Sequence, residues 1–329
     1  MNIAFAGLRH AHIFGLYDRA KAAPGVAVTG AWEADEPART AAQKLIAEPF
    51  YAAYDDLLAD PRVEAVAVGD YYGIRGQRVI RALEAGKNVI ADKPLCASLD
   101  ELDAIRRLAL EKKLKVACML DLRYDGAVRM ARQLARSGRL GPVHAVNFTG
   151  QHPLDWGSRP MWYFEEGKHG GTINDIAIHG VDAARYVTGL ELKRPVAART
   201  WNAFARAAKD FRDCAQFMAE FDGGAGVTGD VSYSAQSGTA WKMPSYWRFN
   251  IWGEEAAVEF RYGGGHLLLA EKGRPIEEIA CLPVEENWLT DFMKPYDETA
   301  LLDVLASQEA ALRIQKLADE SSEKGSEKP

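Results

Sequence analysis

The chain has 329 residues, of which 48% are hydrophobic and 26% are charged, and its formal net charge is -6. This length exceeds one ordinary hydrophobic core and predicts two domains of roughly 100 to 200 residues each. The acidic balance, with no basic run, argues against a nucleic-acid partner and favours a small-molecule ligand.

Cysteine usage and the amino terminus predict a soluble cytoplasmic protein with no membrane partner. Cys96, Cys118, Cys214 and Cys281 are scattered without a CxxC pair, which is typical of reduced thiols. Strand-like residues begin at Asn2 and leave no room for a secretory signal. No apolar run approaches the roughly 18 residues that cross a bilayer.

In the first 120 residues, short apolar runs alternate with helical patterns. The strand candidates are 3–6, 26–32, 63–68, 89–91 and 116–119. Ser98 and Glu101 form a capping-box pattern that predicts a helix through Glu111, and Gly86 ends the helix before it. This alternation predicts a doubly wound parallel sheet of the Rossmann type.

After about residue 122 the pattern becomes α+β. It predicts helices over 125–137 and 174–188, then strands from 195 to about 270 that form a large open, mostly antiparallel sheet. Asp222-Gly223-Gly224 is a hairpin turn signal, and a last helix is predicted over 298–319. The expected organisation is a dinucleotide-binding domain (1–121), a substrate-binding and oligomerisation domain (122–320) and a flexible tail (321–329).

The most informative stretch ends in Asp92-Lys93-Pro94, directly after a short buried strand. A lysine at the carboxyl end of a parallel strand stands where open α/β sheets bind ligands, and the proline after it restricts the backbone. With Gly86 and Lys87 before the strand, the segment resembles the "AGKHVxxEKP" signature of the Gfo/Idh/MocA family of nicotinamide-dependent sugar and cyclitol oxidoreductases. Asp92 stands where that family usually has glutamate.

The dinucleotide fingerprint Gly-x-Gly-x-x-Gly is only partly present. Gly7 is followed by Leu8, Arg9, His10, an alanine and His12, so Arg9 and His12 replace the second and third glycines. The start of the next helix still offers amide groups and a positive dipole end to an anion, and Arg9 could add a charged contact. The alternative is a site that has lost its cofactor, in which Arg9 only fills space.

Two further loops complete the expected cofactor contacts. Glu33 follows the second strand, where an acid bonds the adenosine ribose, so NAD is expected in preference to NADP; Asp35 is the alternative acid. After the strand at 63–68, Asp70, Tyr71 and Tyr72 replace the Thr-Pro-Asn turn of the family, and we expect this loop to face the dinucleotide. The family resemblance adds Asp92, Lys93 and Pro94 to the cofactor site.

Alcohol oxidation needs a group that takes the hydroxyl proton while hydride leaves, and two places in the chain could supply it. Lys93 is the first, unless it only binds ribose and substrate. The second is the pair Asp175 and His179, whose i,i+4 spacing places both side chains on one helix face. The stretch 170–182 resembles the family's "GGGxxxDxGxHxxD" motif, with Thr172 and Ala177 in place of two glycines.

By this resemblance, Lys93, Asp175 and His179 form the catalytic constellation, with Lys93 or His179 exchanging the proton and Asp175 orienting. The resemblance spans essentially the whole chain, including an "RxxP"-like segment at 123–126 and an "SGxLG" turn at 137–141. Arg123 is therefore expected to contact substrate or cofactor.

The remaining substrate candidates lie in a stretch rich in aromatic and polar groups. Polyols are bound by polar side chains and by aromatic faces under ring CH groups, so His152, Arg159, Trp162 and Lys168 are expected to bind substrate; loop packing is the alternative. His152, His169 and His179 lack regular ligand spacing, and no metal site is expected.

The resemblance implies an NAD(P)-dependent oxidoreductase that transfers hydride between nicotinamide and a secondary alcohol of a sugar, sugar derivative or cyclitol. A homodimer or homotetramer is expected. Two alternatives are a redox-assisted, NAD-dependent glycosidase or lyase of the same fold and a non-catalytic sugar- or nucleotide-sensing regulator. Retention of Lys93, Asp175 and His179 together argues against the regulator.

Overall fold

The computed structural model describes residues 1–238 and 246–326 and divides into two compact units. The first unit comprises Met1–Met119, Gly167–Gly170 and Asn287–Gln308. The second comprises Leu120–Glu166, Gly171–Glu286 and Glu309–Pro329. No helix among the described residues is both long enough and apolar enough to cross a membrane.

A parallel sheet forms the centre of the first unit. Its strands are β1 (Asn2–Ala6), β2 (Ala27–Trp32), β3 (Ala65–Val68), β4 (Asn88–Ala91) and β5 (Val116–Cys118). The helices between them are α1 (His12–Ala22), α2 (Glu36–Ala42), α3 (Tyr54–Ala59), α4 (Tyr72–Glu84) and α5 (Leu99–Lys112). The strand order is β2-β1-β3-β4-β5, which confirms the predicted Rossmann sheet and all five predicted strands.

The local sequence explains these elements. Residues 65–68 in β3 are entirely buried and apolar, as expected for a parallel strand that is covered on both faces. The predicted cap of α5 is confirmed, since Ser98 Oγ accepts the Glu101 N–H at 3.2 Å, but the box is not closed, because the Glu101 carboxylate accepts the Ala97 N–H at 3.0 Å.

The second unit is built on an eight-stranded sheet. Its strands are β6 (Val143–Pro153), β7 (Leu192–Trp201), β8 (Cys214–Phe221), β9 (Gly226–Ala235), β10 (Trp247–Gly253), β11 (Ala256–Arg261), β12 (His266–Glu271) and β13 (Glu277–Ala280). The order is β13-β12-β11-β10-β6-β9-β8-β7, and β6 with β9 is a parallel pair. The other pairs are antiparallel, as predicted. The predicted hairpin turn, Asp222–Gly224, joins β8 to β9.

The helices of this unit are α6 (Gly126–Arg136) and α7 (Ile178–Thr188), and α7 is preceded by a π-helical turn, Ile173–Ala177. The sequence predicted these helices but not the π geometry. Strand β6 was not predicted, so Gln151, His152 and Pro153 end a strand rather than lie in a loop. The alternation of buried Val146 and Phe148 with polar neighbours marks this strand.

The last segments differ from expectation. Residues 287–308 belong to the first unit rather than to the second domain, because α8 (Trp288–Met293) and the start of α9 (Glu298–Ser326) bond there. Lys115 Nζ donates to the Phe292 carbonyl at 2.7 Å, and the Leu95 N–H donates to Gln308 Oε1 at 2.8 Å. Helix α9 continues to Ser326, beyond the predicted end at 319, because the Glu, Lys and Ser of the expected tail tolerate helix. Residues 327–329 lie outside the described part.

Candidate functional site

Gly7 makes the turn between β1 and α1. Its φ is +73°, and a Cβ there would lie 2.8 Å from the backbone Cα and N of Asp70. A side chain would therefore both strain the backbone and collide with the loop after β3. The first glycine of the fingerprint has the tight conformation that the dinucleotide turn requires, and α1 begins shortly after it at His12.

The Arg9 side chain lies across the end of β1, between the loops that follow β2 and β3. Its Nε donates to Asp70 Oδ1 at 2.8 Å and lies 3.6 Å from Glu33 Oε1, while the guanidinium is 4.4 Å from the centre of the Tyr71 ring. Burial lowers the pKa of Arg9, but the Asp70 carboxylate outweighs burial and raises it. The guanidinium thus takes the space that the second glycine would leave open.

Glu33, the acid expected to bind ribose, is buried directly after β2. Its carboxylate accepts the backbone N–H groups of Leu8 and, at 2.8 Å, of Asp35. Burial raises the pKa of Glu33, and these two N–H groups offset part of that rise. Asp35, the alternative acid, instead caps α2 by accepting the Ala38 N–H at 3.0 Å, which favours Glu33.

Lys93 follows β4 and is only 3% exposed, next to Asp92, which is fully buried. The Asp92 carboxylate accepts the Lys93 N–H at 2.8 Å and contacts His10 Nδ1. On the other side of its ring, His10 Nε2 lies 3.1 Å from the Tyr72 hydroxyl. The predicted cofactor residues after β1, β3 and β4 are thus joined in one hydrogen-bonded chain.

Arg75 fixes the backbone around this chain. Its guanidinium donates to the carbonyls of Asp92 at 3.1 Å and Pro94 at 2.9 Å, and lies 3.4 Å from the Asp92 carboxylate. Burial on its own would raise the pKa of Asp92, but its interactions with His10, Arg75 and His12 hold this pKa well below the ordinary value. Sequence reasoning did not single out Arg75.

The protonation of His10 follows from this environment. Burial lowers the pKa of His10 to about 4, and the attraction of Asp92 offsets only part of the effect. The ring is therefore neutral near pH 7, with one N–H. Since an ionised carboxylate can only accept, the proton lies on Nδ1, and Nε2 accepts a hydrogen bond from the Tyr72 hydroxyl.

The segment Gly167–Gly170 packs against the start of α4 within the first unit. The Gly73 N–H donates to the Lys168 carbonyl at 2.9 Å, and a Cβ on Gly73 would collide with the Gly167 carbonyl. This contact places the His169 ring 5.5 Å from the Tyr72 ring. It also places Lys168 Nζ 5.4 Å from the centre of the Tyr71 ring. Lys168 therefore lies beside the cofactor loop, whereas the other substrate candidates belong to the second unit.

Among the described residues, one group of three could surround a metal ion, and it is not the histidine set considered from the sequence. His10, His12 and Asp92 offer ligand atoms that all lie within 4.8 Å of one another. The buried Arg75 guanidinium already pairs with the same carboxylate, and a second cation beside it would be repelled. This geometry favours a hydrogen-bonded cluster over a metal site.

The π-helical turn of the second unit carries Asp175 and is capped from α9. Gln315 Oε1 accepts the N–H groups of Ile173 at 2.9 Å and Asn174 at 3.3 Å. Gly171, with φ of +96°, lies so close to the Gln315 amide that a Cβ would come within 3.0 Å of it. Thr172, which replaces a family glycine, is accommodated because its hydroxyl donates to the Arg212 carbonyl. π-helical turns are frequent at functional sites.

Asp175 and His179 are both buried, and their partners were not predicted. The Tyr233 hydroxyl donates to the Asp175 carboxylate. His179 and His152 each lie beside Trp247, at ring distances of 5.9 and 6.1 Å. Tyr233 and Trp247 stand on β9 and β10, where an alternating strand pattern gives no functional signal.

Two further substrate candidates, Arg159 and Trp162, are engaged in local structure. Arg159 donates to the Leu154 and Pro153 carbonyls, each at 2.7 Å, and its guanidinium lies 4.6 Å from the Tyr163 ring. Trp162 stacks on Tyr163 at 4.0 Å. These contacts hold the loop after β6 in shape.

Arg123 forms a buried ion pair, with Nε 3.0 and 2.8 Å from the two carboxylate oxygens of Asp182. This pair joins the 3₁₀ segment at Asp121–Tyr124 to α7. It gives Arg123 a structural partner that the sequence did not indicate.

Two family models together match most of the chain. Residues 1–120 match the model described as "Oxidoreductase family, NAD-binding Rossmann fold", and residues 128–259 match the "GFO/IDH/MocA C-terminal domain". The chain belongs to the Gfo/Idh/MocA family. The resemblance inferred from the lysine and histidine motifs is therefore confirmed.

Curated relatives match over less than half of the chain. A levoglucosan dehydrogenase from Pseudarthrobacter phenanthrenivorans is 28% identical over 47% of this chain and 40% of its own length. A scyllo-inositol 2-dehydrogenase (NAD(+)) from Bacillus subtilis is 31% identical over 42% of this chain and 39% of its own length. The matches thus span about two fifths of these relatives.

Solved structures share the fold over nearly the full length. A structure from Erwinia carotovora atroseptica has a TM-score of 0.84 at 24% identity and covers 97% of this chain and 98% of its own. A levoglucosan dehydrogenase in complex with NADH and levoglucosan has a TM-score of 0.78 at 20% identity, with 98% and 97% covered. The Rossmann unit followed by a large mostly antiparallel sheet is therefore the fold of Gfo/Idh/MocA structures.

Proposed function

We propose that this family member is an NAD-dependent oxidoreductase that oxidises, or forms by reduction, a secondary alcohol of a sugar, sugar derivative or cyclitol. The observation that carries the proposal is the burial of Lys93 at the carboxyl end of β4, in the unit that matches the NAD-binding model. Relatives named as levoglucosan and inositol dehydrogenases support this substrate class.

The first unit fits a dinucleotide, provided that Arg9 moves. The Gly7 turn is a cradle that a Cβ would fill, and α1 begins beside it. Glu33 is held by two backbone N–H groups in the position expected for a ribose-binding acid. Arg9 pairs with Asp70 and Glu33, so we expect its guanidinium to turn from these carboxylates toward the pyrophosphate when the dinucleotide binds.

NAD is the proposed cofactor because Glu33 presents a carboxylate where NADP carries a 2'-phosphate. One relative, from Bacillus subtilis, is named as NADP(+)-dependent, so affinity for both nucleotides is the decisive measurement. In Glu33→Gln the affinity for NADP should rise relative to that for NAD, since the repelling charge is gone while the backbone contacts are kept.

The chemistry divides between the two units. Bound NAD would supply the nicotinamide C4 that accepts hydride. Lys93 would take the hydroxyl proton, or share this role with His179, while Asp175 orients the substrate hydroxyl. The Tyr233 hydroxyl holds the Asp175 carboxylate in one orientation. His152 and the aromatic face of Trp247 would contact the sugar ring.

We also infer assembly into a homodimer or homotetramer through the open face of the eight-stranded sheet. Met218 and Trp252 are 49% and 47% exposed on this face, so a subunit contact there would bury both large apolar side chains. A depression of about 300 Å³ on this face is lined by Asn147, Gln216, Thr228 and Arg248. It is separate from the residues assigned to chemistry, which suits subunit contact better than catalysis.

The proposal is tested first by native mass spectrometry and by calorimetry with NAD and NADP. A screen with levoglucosan, myo-inositol and scyllo-inositol then follows NADH absorbance. We expect NAD to bind more tightly and at least one polyol to reduce it. Failure of both nucleotides to bind would leave a non-redox regulator, and retained NAD with bond cleavage but no net NADH would indicate the glycosidase or lyase.

Roles are assigned by substitution with a matched control. Lys93→Ala and His179→Ala should each lower turnover by at least a hundredfold. Lys87, at the other end of β4, is a buried lysine that donates to the carbonyls of Asp60 at 2.9 Å and Val63 at 2.8 Å. Lys87→Ala should cost stability but keep turnover. Full turnover in Lys93→Ala and His179→Ala would contradict the assigned roles.

A further inference from the structure

We propose that Tyr72, His10 and Asp92 form a positioning network for Lys93. In this network the Tyr72 phenol oxygen can only accept a hydrogen bond, and it accepts one from the Lys93 ammonium. The inference rests on the proposed function, because it assigns a role during proton exchange by Lys93. It adds three residues to that reaction whose expected role was cofactor contact.

Asp92 lies at one end of the network and fixes which group donates in each of its hydrogen bonds. Asp92 is fully buried beside Arg75 and has no proton to give, so it accepts from His10 Nδ1. Burial lowers the pKa of His10 and keeps its ring neutral near pH 7, so Nε2 carries no proton and accepts a hydrogen bond from the Tyr72 hydroxyl at 3.1 Å. The phenol has a single proton, and its oxygen therefore offers only lone pairs to the rest of the site.

Charged and titratable groups from every neighbouring element surround Tyr72. The Arg75 guanidinium from α4 lies 4.8 Å from its ring centre, and Lys93 Nζ lies 5.9 Å from it. The His169 ring is 5.5 Å away, and the exposed His12 contacts Asp92 at 3.3 Å behind His10. These distances place two cations near the face of the Tyr72 ring, which attracts positive charge, and the proposed contact brings the Lys93 ammonium from there to the hydroxyl oxygen at the ring edge.

The network stabilises one state of the proposed reaction. In oxidation, the hydroxyl proton passes to the Lys93 amine while hydride passes from carbon to nicotinamide, so an ammonium forms. The Tyr72 oxygen accepts an N–H bond from this ammonium, and no proton is gained or lost by the network. In reduction the same contact holds the ammonium ready to donate.

The sequence supports this assignment independently. Asp92 replaces the glutamate of the family signature, Tyr72 lies in the loop that replaces the Thr-Pro-Asn turn, and His10 lies inside the altered glycine motif. Two departures, at 72 and 92, meet in one bonded cluster with His10, which stands at a variable position of the glycine motif. A glutamate at position 92 would carry its carboxylate one methylene further and could not keep the same contact with His10.

The first test removes or reverses the contact to Lys93. In Tyr72→Phe the oxygen is lost, and we expect kcat to fall about tenfold to a hundredfold with a KM for the polyol within threefold of wild type. The acidic limb of the kcat profile should also shift. In Asp92→Asn the amide donates to His10 Nδ1, so Nε2 carries the proton and the phenol turns its O–H toward Lys93. The kcat of Asp92→Asn should fall as much as that of Tyr72→Phe. Adding Tyr72→Phe to Asp92→Asn should lower kcat little further.

Tyr51→Phe is the control, since it removes a phenol oxygen of the same unit whose hydroxyl donates to Asp60 Oδ2 at 2.8 Å, outside the residues assigned to cofactor, substrate or chemistry. It should leave the pH profile of kcat unchanged. Wild-type kcat and pH profile in Tyr72→Phe would overturn the proposal.

A second readout needs neither substrate nor cofactor. Nitrogen-15 spectra of the imidazole rings in the unliganded protein should show His10 neutral with its proton on Nδ1, and on Nε2 in Asp92→Asn. His10→Leu assigns the signals among the seven histidines. A wild-type His10 with its proton on Nε2 would overturn the network. Absence of turnover with every polyol in wild type would instead refute the proposed function, which separates the two failures.

Discussion

Gly171→Ala tests whether the contact between Gly171 and Gln315 supports the turn that carries Asp175. Gly171 has φ of +96°, and an added Cβ would come within 3.0 Å of the Gln315 amide. The amide is the flexible end of a side chain and can move, but it then gives up the N–H groups of Ile173 and Asn174 that it caps. The perturbation thus combines backbone strain with loss of a cap.

The strain and the lost cap each lower the free energy of unfolding by an amount that can be estimated. A non-glycine residue in the left-handed region costs about 1–2 kcal/mol. Two hydrogen bonds lost from buried backbone donors cost about 1 kcal/mol each. Gly171→Ala should therefore lower the free energy of unfolding by about 3–4 kcal/mol. Gln315→Ala should lose only the cap component, about 2 kcal/mol.

Urea unfolding followed by tryptophan fluorescence measures both variants. Gly157→Ala is the control, because Gly157 has a similar φ of +92° and no atom within 4 Å of an added Cβ, so it carries strain alone. Gly171→Ala should also lower turnover more than Gly157→Ala, since the π-helical turn positions Asp175. Equal losses of stability in Gly171→Ala and Gly157→Ala would show that the Gln315 cap contributes nothing.

Three further predictions follow from the site. Gly7→Ala should abolish NAD binding by calorimetry, because its Cβ meets the Asp70 backbone at 2.8 Å and the residue has φ of +73°; retained affinity would contradict the fit of the turn. Arg123→Lys should lower stability by about 1–2 kcal/mol through loss of the two-point pair with Asp182, and a large rise in KM at unchanged stability would instead favour the predicted substrate contact. The pKa of folded His10, about 4, is below its ordinary value of 6.5, so the unfolded chain binds the extra proton between these pH values. Stability present above pH 6.5 should fall by about 3 kcal/mol as the pH drops to 4, and His10→Leu should flatten this slope in acid unfolding curves.

The sequence predicted most of the fold because its signals are local. Buried apolar runs marked the five parallel strands, Ser98 marked the start of α5, and Asp222-Gly223-Gly224 marked a hairpin. The π-helical turn was not predictable, since Asp175 and His179 keep the same spacing in a π or an α turn. Strand β6 was missed because its polar side chains resemble those of a binding loop.

For the candidate site, the sequence identified individual residues but not the side chains that they contact. Lys93, Glu33 and Gly7 were placed by their position after a strand, and that rule depends only on sheet topology. The contacts of Asp175 with Tyr233 and of Asp92 with His10 join residues far apart in the chain. Nothing in the local pattern marks Tyr233, because one strand tyrosine looks like another until the sheet is assembled.

The altered glycine fingerprint has a physical explanation that links these observations. Each glycine that is missing from the motif has been replaced by a side chain that pairs with a carboxylate after another strand of the same sheet, Arg9 with Asp70 after β3 and His12 with Asp92 after β4. A dinucleotide pyrophosphate would compete with Asp70 for the Arg9 guanidinium, so binding exchanges one ion pair for another. Two effects of Arg9→Ala therefore oppose each other, since it opens the turn but removes the cation. If losing the cation weakens NAD binding more than opening the turn strengthens it, NAD affinity falls in Arg9→Ala and is largely kept in Arg9→Lys.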